Sequence, residues 1–551
     1  MMQKVSLILI LLLAGILRLW QLSDYPAGFN ADEAALGYNA YSLLTTGRDE
    51  HGAPWPVNLE SFGDFKPAGY AYLLIPFIKT LGLTEFAVRL PSALFGILAV
   101  LFTYLLVKEL FENWKLKIED IAAFMLAISP WHLHFSRGAW EVNVATTLIL
   151  IGVWSFVKWQ KRPKFLYLIF STSLLVLSMY FYQSARVIAP LLGLGLAGLY
   201  RRDLLRHSKQ MVINILLLLL LLLPLGISII TSDAGSRLSG VGLLADVGPL
   251  RRVEQLRGQH PDWNSLSSRL LHNRPVIYTI QFMANYLDHF AGDFLFVNGD
   301  EIQRNKVPET GLFYLTDFFL LALGLAWLTR HPDRHSRVIW LWLLVAPVAS
   351  AMTFQTPHAL RAHSLVIPMT ILISVGIVNL INSLGNWPLS PARWPKGLLA
   401  GGLGVLILVY SWQFTRYLHQ YYVHYPRALP AAWEYGFKEL VGYVESVKDR
   451  YQRILVTDKY DQPYILFLFY SQYPPAQFQF NHQLTVRDQF NFSTVRDYGP
   501  YHFDSTPWAK VSDIHSALIV AAPEDIPDVG VNVVTTINFP SGAPAFKIVS
   551  N

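Results

Sequence analysis

Apolar runs of roughly 20 residues recur along this chain, each closed by a short polar connection, and that recurrence restricts the fold more than any other feature. Within a bilayer every backbone amide must be satisfied internally, so such runs read as membrane-spanning helices. Eleven candidates stand at 4–22, 91–110, 119–136, 142–159, 165–182, 187–200, 211–230, 311–328, 336–352, 364–382 and 398–415. Two of them, 119–136 and 187–200, are short, and Leu216–Leu223 is the least ambiguous tract. Charged residues make up 15% of the chain, against about 25% in soluble domains. The pattern predicts a polytopic α-helical membrane protein.

Basic residues set the orientation, since Lys and Arg collect in short cytoplasmic loops. Lys108, Lys115 and Lys117 share one connection, Lys158, Lys161, Arg162 and Lys164 a second, and Arg201, Arg202, Arg206 and Lys209 a third. Arg330, Arg334 and Arg337 form a fourth, and Arg393 with Lys396 a fifth. Placing all five inside puts the N-terminus in the cytoplasm and the C-terminus outside, with the plasma membrane as the expected location. That count requires the apolar stretch Gly69–Leu83 to lie along the outer surface as an interfacial helix. The net charge of +6 is dispersed over these loops, which suits a membrane and no nucleic acid. Val5–Leu17 resembles a signal-peptide core, but Arg18 follows without a small-residue cleavage site, so an uncleaved anchor is expected. The chain has no cysteine, which excludes disulfides and thiolate chemistry.

Two long outer segments remain. Residues 231–310 are polar to mixed, with 275–296 readable as another interfacial helix. Residues 420–551 read as a separate small extracytoplasmic α/β domain, after a membrane domain over 1–419 whose first outer loop is 24–90. In that terminal domain Trp433, Phe437, Leu440, Val441, Val444 and Val447 fall on one face of an expected helix over 432–451. Arg453–Thr457, Ala517–Ala522 and Val531–Ile537 read as strands.

Chemistry concentrates on the expected outer side, first in the stretch Phe29–Pro67. Asn30-x-x-Glu33 is a capping box that opens a helix over Ala31–Leu44, and Asp32 favours the same positive helix end. Carboxylates where a chain leaves the bilayer are costly unless they work, and one so placed suits a general base toward a hydroxyl or amine. Locally the structural and catalytic readings are level. Lys66-Pro67 reads either as an exposed lysine before a helix or as a headgroup-level cation suited to phosphate. Trp131–Glu141 carries His132 and His134 without a matching third metal ligand, and Arg137 and Glu141 four residues apart. Those two either pair along a helix or wall a site. Tyr182 and Arg186 end the fifth candidate span, and Pro357–His363 holds His358 and Arg361. Arginines at this depth suit phosphate or snorkel. No cofactor is required by these residues, and a divalent metal is compatible with them.

Phe29–Glu33, Lys66-Pro67 and the run Glu85–Gly96 with its Arg89-Leu90-Pro91-Ser92 signature resemble the membrane glycosyltransferases of family 39. That group includes protein O-mannosyltransferases and the aminoarabinose transferase acting on lipid A. The resemblance covers about 1–380 and is strongest in the first 190 residues. It implies a GT-C fold and an inverting transfer from a polyprenyl- or dolichyl-phosphate-linked sugar. Asp32 would be the catalytic base, Glu33 would hold the acceptor or the site geometry, and Lys66 would meet the donor phosphate, with Arg361 and His358 as later phosphate contacts. Arg186 is expected to join them, with Glu141, Arg137 and Tyr182 as acceptor-side walls. Lys-Pro-Ala stands here where many relatives have Lys-Pro-Pro. The acceptor, whether lipid, glycan or protein, is left open. Alternatives are an oligosaccharyl- or polymer-type transferase of the same fold, a lipid or sugar transporter, and a binding scaffold. A transporter predicts midplane charges and paired broken helices, and the sequence offers neither.

Overall fold

The structure, a computed structural model, describes residues 2–112, 117–231, 242–385, 396–487 and 493–551. Lys115 and Arg393 of the expected cytoplasmic connections, and 232–241 of the expected outer segment, lie outside the described residues. The chain divides into two compact units. One is Met1–Arg18, Leu94–Ser136 and Glu141–Leu418; the other is Leu19–Ala93, Arg137–Trp140 and His419–Asn551. Four helices are used below by label: α1 (Met2–Leu19), α2 (Ala31–Thr46), α3 (Gly69–Leu81) and α4 (Glu85–Leu110).

The first unit is helical. Among the described residues four helices are long and apolar enough to cross a membrane: Glu85–Leu110, Glu141–Lys161, Ser208–Thr231 and His363–Asn382. Shorter apolar helices cover Val5–Leu19, Phe165–Ser178 and Ala185–Leu199 in this unit. The run at 119–136 is two helices, Ile118–Ile128 and Pro130–Arg137. Pro130 has no amide hydrogen to give and its ring clashes with the preceding turn, so the first helix stops at Ile128. Pro347 does the same to 336–352, which becomes Arg334–Val345 and Val348–Ala351. Arg18, fully buried at the end of α1, donates to the Ala127 carbonyl at 3.1 Å and meets His132 Nδ1 at 2.8 Å.

Helices Leu315–Arg330 and Val366–Gly385 approach most closely through two glycines. A Cβ on Gly324 would stand 2.0 Å from the Leu372 carbonyl oxygen, and one on Gly376 1.9 Å from that of Leu320. Small residues let apolar helices make backbone contact where no hydrophobic force distinguishes a neighbour from lipid.

The second unit is mixed. Asn30 caps α2: its side chain accepts from the Glu33 amide at 3.1 Å, and the Glu33 carboxylate accepts from the Asn30 amide at 3.4 Å. Gly47 stops the helix in a left-handed conformation, its amide donating to Leu43. A two-residue turn at Phe62-Gly63, both with positive φ, closes the hairpin of β1 (Asn58–Ser61) and β2 (Asp64–Pro67). This is the turn whose twist matches paired strands. Pro67 therefore ends a strand, and α3 begins after it, at Gly69. Helix α3 buries Tyr70, Ala71, Leu74 and Ile78, one face at helical spacing.

The C-terminal part of this unit holds β3 (Arg453–Val456), β4 (Gln483–Leu484), β5 (Val495–Tyr498), β6 (Tyr501–Phe503), β7 (Ala517–Ala521), β8 (Val533–Asn538) and β9 (Pro544–Ser550). They form one sheet in the order β4-β5-β6-β3-β7-β9-β8, with β3 parallel to both β6 and β7. Leu455, Ile519, Ala521 and Val549 build its core with Val511 and Ile526. Gly37 of α2 lies against Phe469 of helix Pro463–Ser471, where a Cβ would come within 2.7 Å of the ring.

Gly324→Ala or Gly376→Ala is expected to force the two helices apart and cost about 1–3 kcal/mol. Gly193→Ala, with nothing within 4 Å of its Cβ, is expected to be neutral or slightly stabilising. Thermal unfolding of the detergent-solubilised protein, read for all three, checks this.

Candidate active site

Neighbouring residues on a helix point about 100° apart, so Asp32 and Glu33 leave the first turn of α2 in different directions. Glu33 turns inward and is 2% exposed. Arg89 grips it with two bonds, Nε to Oε1 and Nη2 to Oε2, both 2.9 Å. The Ala139 amide adds a third at 2.8 Å. Arg89 is itself fully buried and spends its remaining donors on the carbonyls of Leu22, Ser23, Pro26 and Gly28, at 2.5–3.2 Å. One side chain thus satisfies the carboxylate and ties down the segment that leads into α2. Arg137, 1% exposed, acts on the same segment. Its Nη2 donates to the Trp20 carbonyl at 2.7 Å and to those of Gln21 and Tyr25, and its guanidinium lies over the Tyr421 ring at 5.4 Å.

Asp32 turns outward and pairs with Lys66. The carboxylate is 31% exposed and the ammonium 15%. Lys66 also lies 4.7 Å from the Phe62 ring centroid. A carboxylate and a cation, both part-exposed and one residue along the helix from a rigid anchor, form a pair at the surface of this unit.

A second carboxyl cluster adjoins the pair. Asp49 folds the chain by accepting from the amides of Ala53 at 2.8 Å and His51 at 3.0 Å. The Glu50 amide donates to Asn39 Oδ1 at 2.9 Å, which turns its side chain into the protein. Burial pushes Glu50 up to about 8 and Asp49 up to about 6, and it pushes His51 down to about 3. The Glu50–His51 approach of 3.7 Å is therefore not an ion pair at neutral pH.

Of the other expected site residues, Glu141, Tyr182, Arg186, His358 and Arg361 lie in the helical unit and Arg137 in the mixed one. Arg137 closes one helix and Glu141 opens the next, so the spacing of an ion pair along a single helix does not apply to them. Glu141 is 9% exposed. Tyr182 sits in the turn after Phe165–Ser178, and Arg186, in the first turn of Ala185–Leu199, donates to the Met179 carbonyl at 3.2 Å. Arg361 donates to Thr353 Oγ1 at 2.7 Å. His358 Nδ1 stands 3.6 Å from Asp300 Oδ2, which accepts from the Ala359 amide at 2.6 Å. Burial pushes Asp300 up from the ordinary carboxylate range. The structure therefore brings Asp32 to Lys66 and Glu33 to Arg89 within one unit, and His358 to Asp300 in the other. Sequence reasoning missed Glu50, Asp300 and the task of Arg89. Only the Arg89-Leu90-Pro91-Ser92 run gave any signal. Among the described residues no group of three or more His, Cys, Asp or Glu is placed to hold a metal ion.

Arg89→Ala strands a buried carboxylate and frees four backbone carbonyls, so it is expected to cost about 3–5 kcal/mol. Adding Glu33→Gln removes the stranded charge and is expected to recover part of that loss. Thermal denaturation of wild type, Arg89→Ala, Glu33→Gln and the double variant, compared as a double-mutant cycle, checks the coupling.

Residues 66–227 match the family model described as dolichyl-phosphate-mannose-protein mannosyltransferase. No curated protein matches the sequence. The fold is similar to that of ArnT from Cupriavidus metallidurans in the apo state, with a TM-score of 0.55 at 11% identity over 100% of this chain and 98% of that one. ArnT from the same organism bound to undecaprenyl phosphate gives 0.52 at 11% identity, over 98% and 97%. The archaeal oligosaccharyltransferase AglB from Archaeoglobus fulgidus, in complex with an inhibitory peptide and a dolichol-phosphate, gives 0.51 at 12% identity over 85% of this chain and 63% of that one. Residues 66–227 thus match a mannosyltransferase family model, and the fold of the chain is similar to those of ArnT and AglB.

Proposed function

We propose that the chain transfers a sugar from a polyprenyl-phosphate-linked donor to an acceptor on the outer face of the plasma membrane, with inversion at the anomeric carbon. The observation that carries this reading is the Asp32–Lys66 pair. It sets a proton acceptor beside an anion-binding cation at the head of a helix that Glu33 and Arg89 hold fixed. Lys66 takes the donor phosphate and stabilises the charge that grows on it as the glycosidic bond breaks, an effect that is large where water is scarce. Asp32 takes the proton of the attacking hydroxyl or amine. The new bond forms at the anomeric carbon, the carbon–oxygen bond to phosphate breaks, and the lipid phosphate leaves with the electron pair. Phosphate departs without a proton, so one carboxylate suffices where glycoside hydrolases need two.

Glu33 keeps the geometry of the site in this reading, and Arg137 fixes the segment before α2. The ligands bound by the two neighbours, undecaprenyl phosphate for ArnT and dolichol-phosphate for AglB, support a lipid-phosphate donor. Arg361, His358 and Arg186 are proposed as cationic partners of that lipid, and Glu141 and Tyr182 as acceptor contacts. Eleven membrane crossings, a cytoplasmic N-terminus and an outer 420–551 complete the proposal.

Transfer from radiolabelled polyprenyl-phosphate sugar in membranes is the test. Asp32→Asn is expected to lower turnover by about 10²–10⁴-fold with little change in donor KM. Lys66→Ala is expected to raise donor KM and lower turnover together. Wild-type turnover by Asp32→Asn overturns the assignment.

A further inference from the structure

We propose that Glu50 is a positioning residue for Lys66: while its carboxyl is neutral it leaves the ammonium to Asp32 and to an incoming phosphate, and once ionised it draws the ammonium inward. The inference rests on the lipid-phosphate reading of Lys66 given above.

The geometry comes from two elements. Asp32 and Asn39 are seven residues apart on α2, about two turns, and so share a face. Asn39 holds the Glu50 amide, which sets Glu50 on the face that carries Asp32. The hairpin supplies the other side. Leu59 stands opposite Lys66, and Ser61 is two residues beyond Leu59, so Ser61 and Lys66 project on one face as a diagonal pair. Such pairs lie about 7–8 Å apart, within reach of a long side chain. Ser61 Oγ donates to Glu50 Oε1 at 3.2 Å. Glu50 is fully buried, yet its Oε2 meets no hydrogen-bond donor among the described residues. Leaving a buried carboxyl oxygen unpaired is expensive, and Lys66 is the cation whose charge acts on it.

The groups facing Glu50 are Tyr38 on α2, Asp49 and His51 in its own turn, Lys66 on β2 and Tyr464 on helix Pro463–Ser471. Burial keeps both tyrosines protonated and His51 neutral. Asp49, at about 6, is already ionised by pH 7. Glu50, pushed up to about 8 by burial against the opposing pull of Asn39, Ser61 and, least of the three, Lys66, gains its charge above neutrality. Its sign is that of a raised acid: the proton stays on in the folded chain below about 8 and is lost above it.

The test is binding of undecaprenyl phosphate to the full-length protein in detergent between pH 6.5 and 9.5. Wild type is expected to weaken by up to about tenfold per pH unit above the Glu50 transition. Glu50→Gln, which cannot ionise, is expected to hold one affinity across the upper range. Ser61→Ala removes a hydrogen bond that favours the charged form, and is expected to shift the break to higher pH. The second ionisation of the probe itself, near pH 6, is common to all three. A thermal melt at pH 8 confirms that Glu50→Gln is folded; if it is not, the shift in Ser61→Ala decides. The same profile in all variants, or a folded Glu50→Gln that binds at no pH, overturns the role of Glu50 alone. A wild type that binds at no pH overturns the lipid-phosphate reading, and this inference with it.

Discussion

The buried pair of Arg89 and Glu33 is the interaction on which the geometry around the head of α2 depends. Two charges out of water gain little net stability from each other, because desolvation cancels most of their attraction. What the pair supplies is position. Arg89 has more donors than one carboxylate can use, and the surplus goes to four carbonyls between Leu22 and Gly28. No hydrophobic side chain could order a stretch of backbone in that way. The guanidinium fork is rigid and permanently charged, so the helix head, the segment before it and the Ala139 amide are fixed together.

From that anchor the asymmetry of an acidic pair follows. Asp32 and Glu33 are chemically similar and adjacent, and a capping box explains only the second. Once Glu33 is fixed inward by its partners, the helical turn dictates that Asp32 faces elsewhere. It finds Lys66 at the end of a four-residue strand whose turn needs two positive φ angles. Sterically that turn costs least with Gly63 at one of them. A short hairpin is marginal alone, and this one persists because Leu59 and Ser61 are buried. The reach of Lys66 is thus set by a strand register rather than by a flexible loop.

Local features of this architecture were legible in the sequence. The Asn30–Glu33 box, the helix after it, the apolar helix from Gly69 and the strands at 453, 517 and 533 are all written in spacing and residue type. Features that depend on distant residues were not. Nothing near Glu33 signals a partner 56 positions later. Arg137 and Glu141 suit an ion pair along one helix until a break between them puts them at the ends of two. Glu50 reads as an ordinary charge in a polar run, Arg48 to His51, and only burial separates it from its neighbours. Asp300 lies in a segment whose pattern is mixed, and its bond to Ala359 closes a loop of 59 residues. The breaks at Pro130 and Pro347 were visible as prolines, but hydropathy averaged across a window hides a single interrupting residue.

With Asp32 as the proposed base and Lys66 as the proposed phosphate contact, their pairing would favour an order of events. An oxygen that is holding an ammonium has no lone pair free in that direction, so Asp32 cannot accept a proton there while Lys66 remains on it. An incoming phosphate competes for the same ammonium, and with a charge-assisted bond at least as strong as the one it replaces. In the proposed reading, capture of the donor by Lys66 frees the Asp32 oxygen that held the ammonium and strengthens the carboxylate as a proton acceptor. An acceptor that arrives first would meet a carboxylate whose charge the ammonium already offsets. The proposed arrangement would couple readiness for proton transfer to the presence of the donor through one side chain.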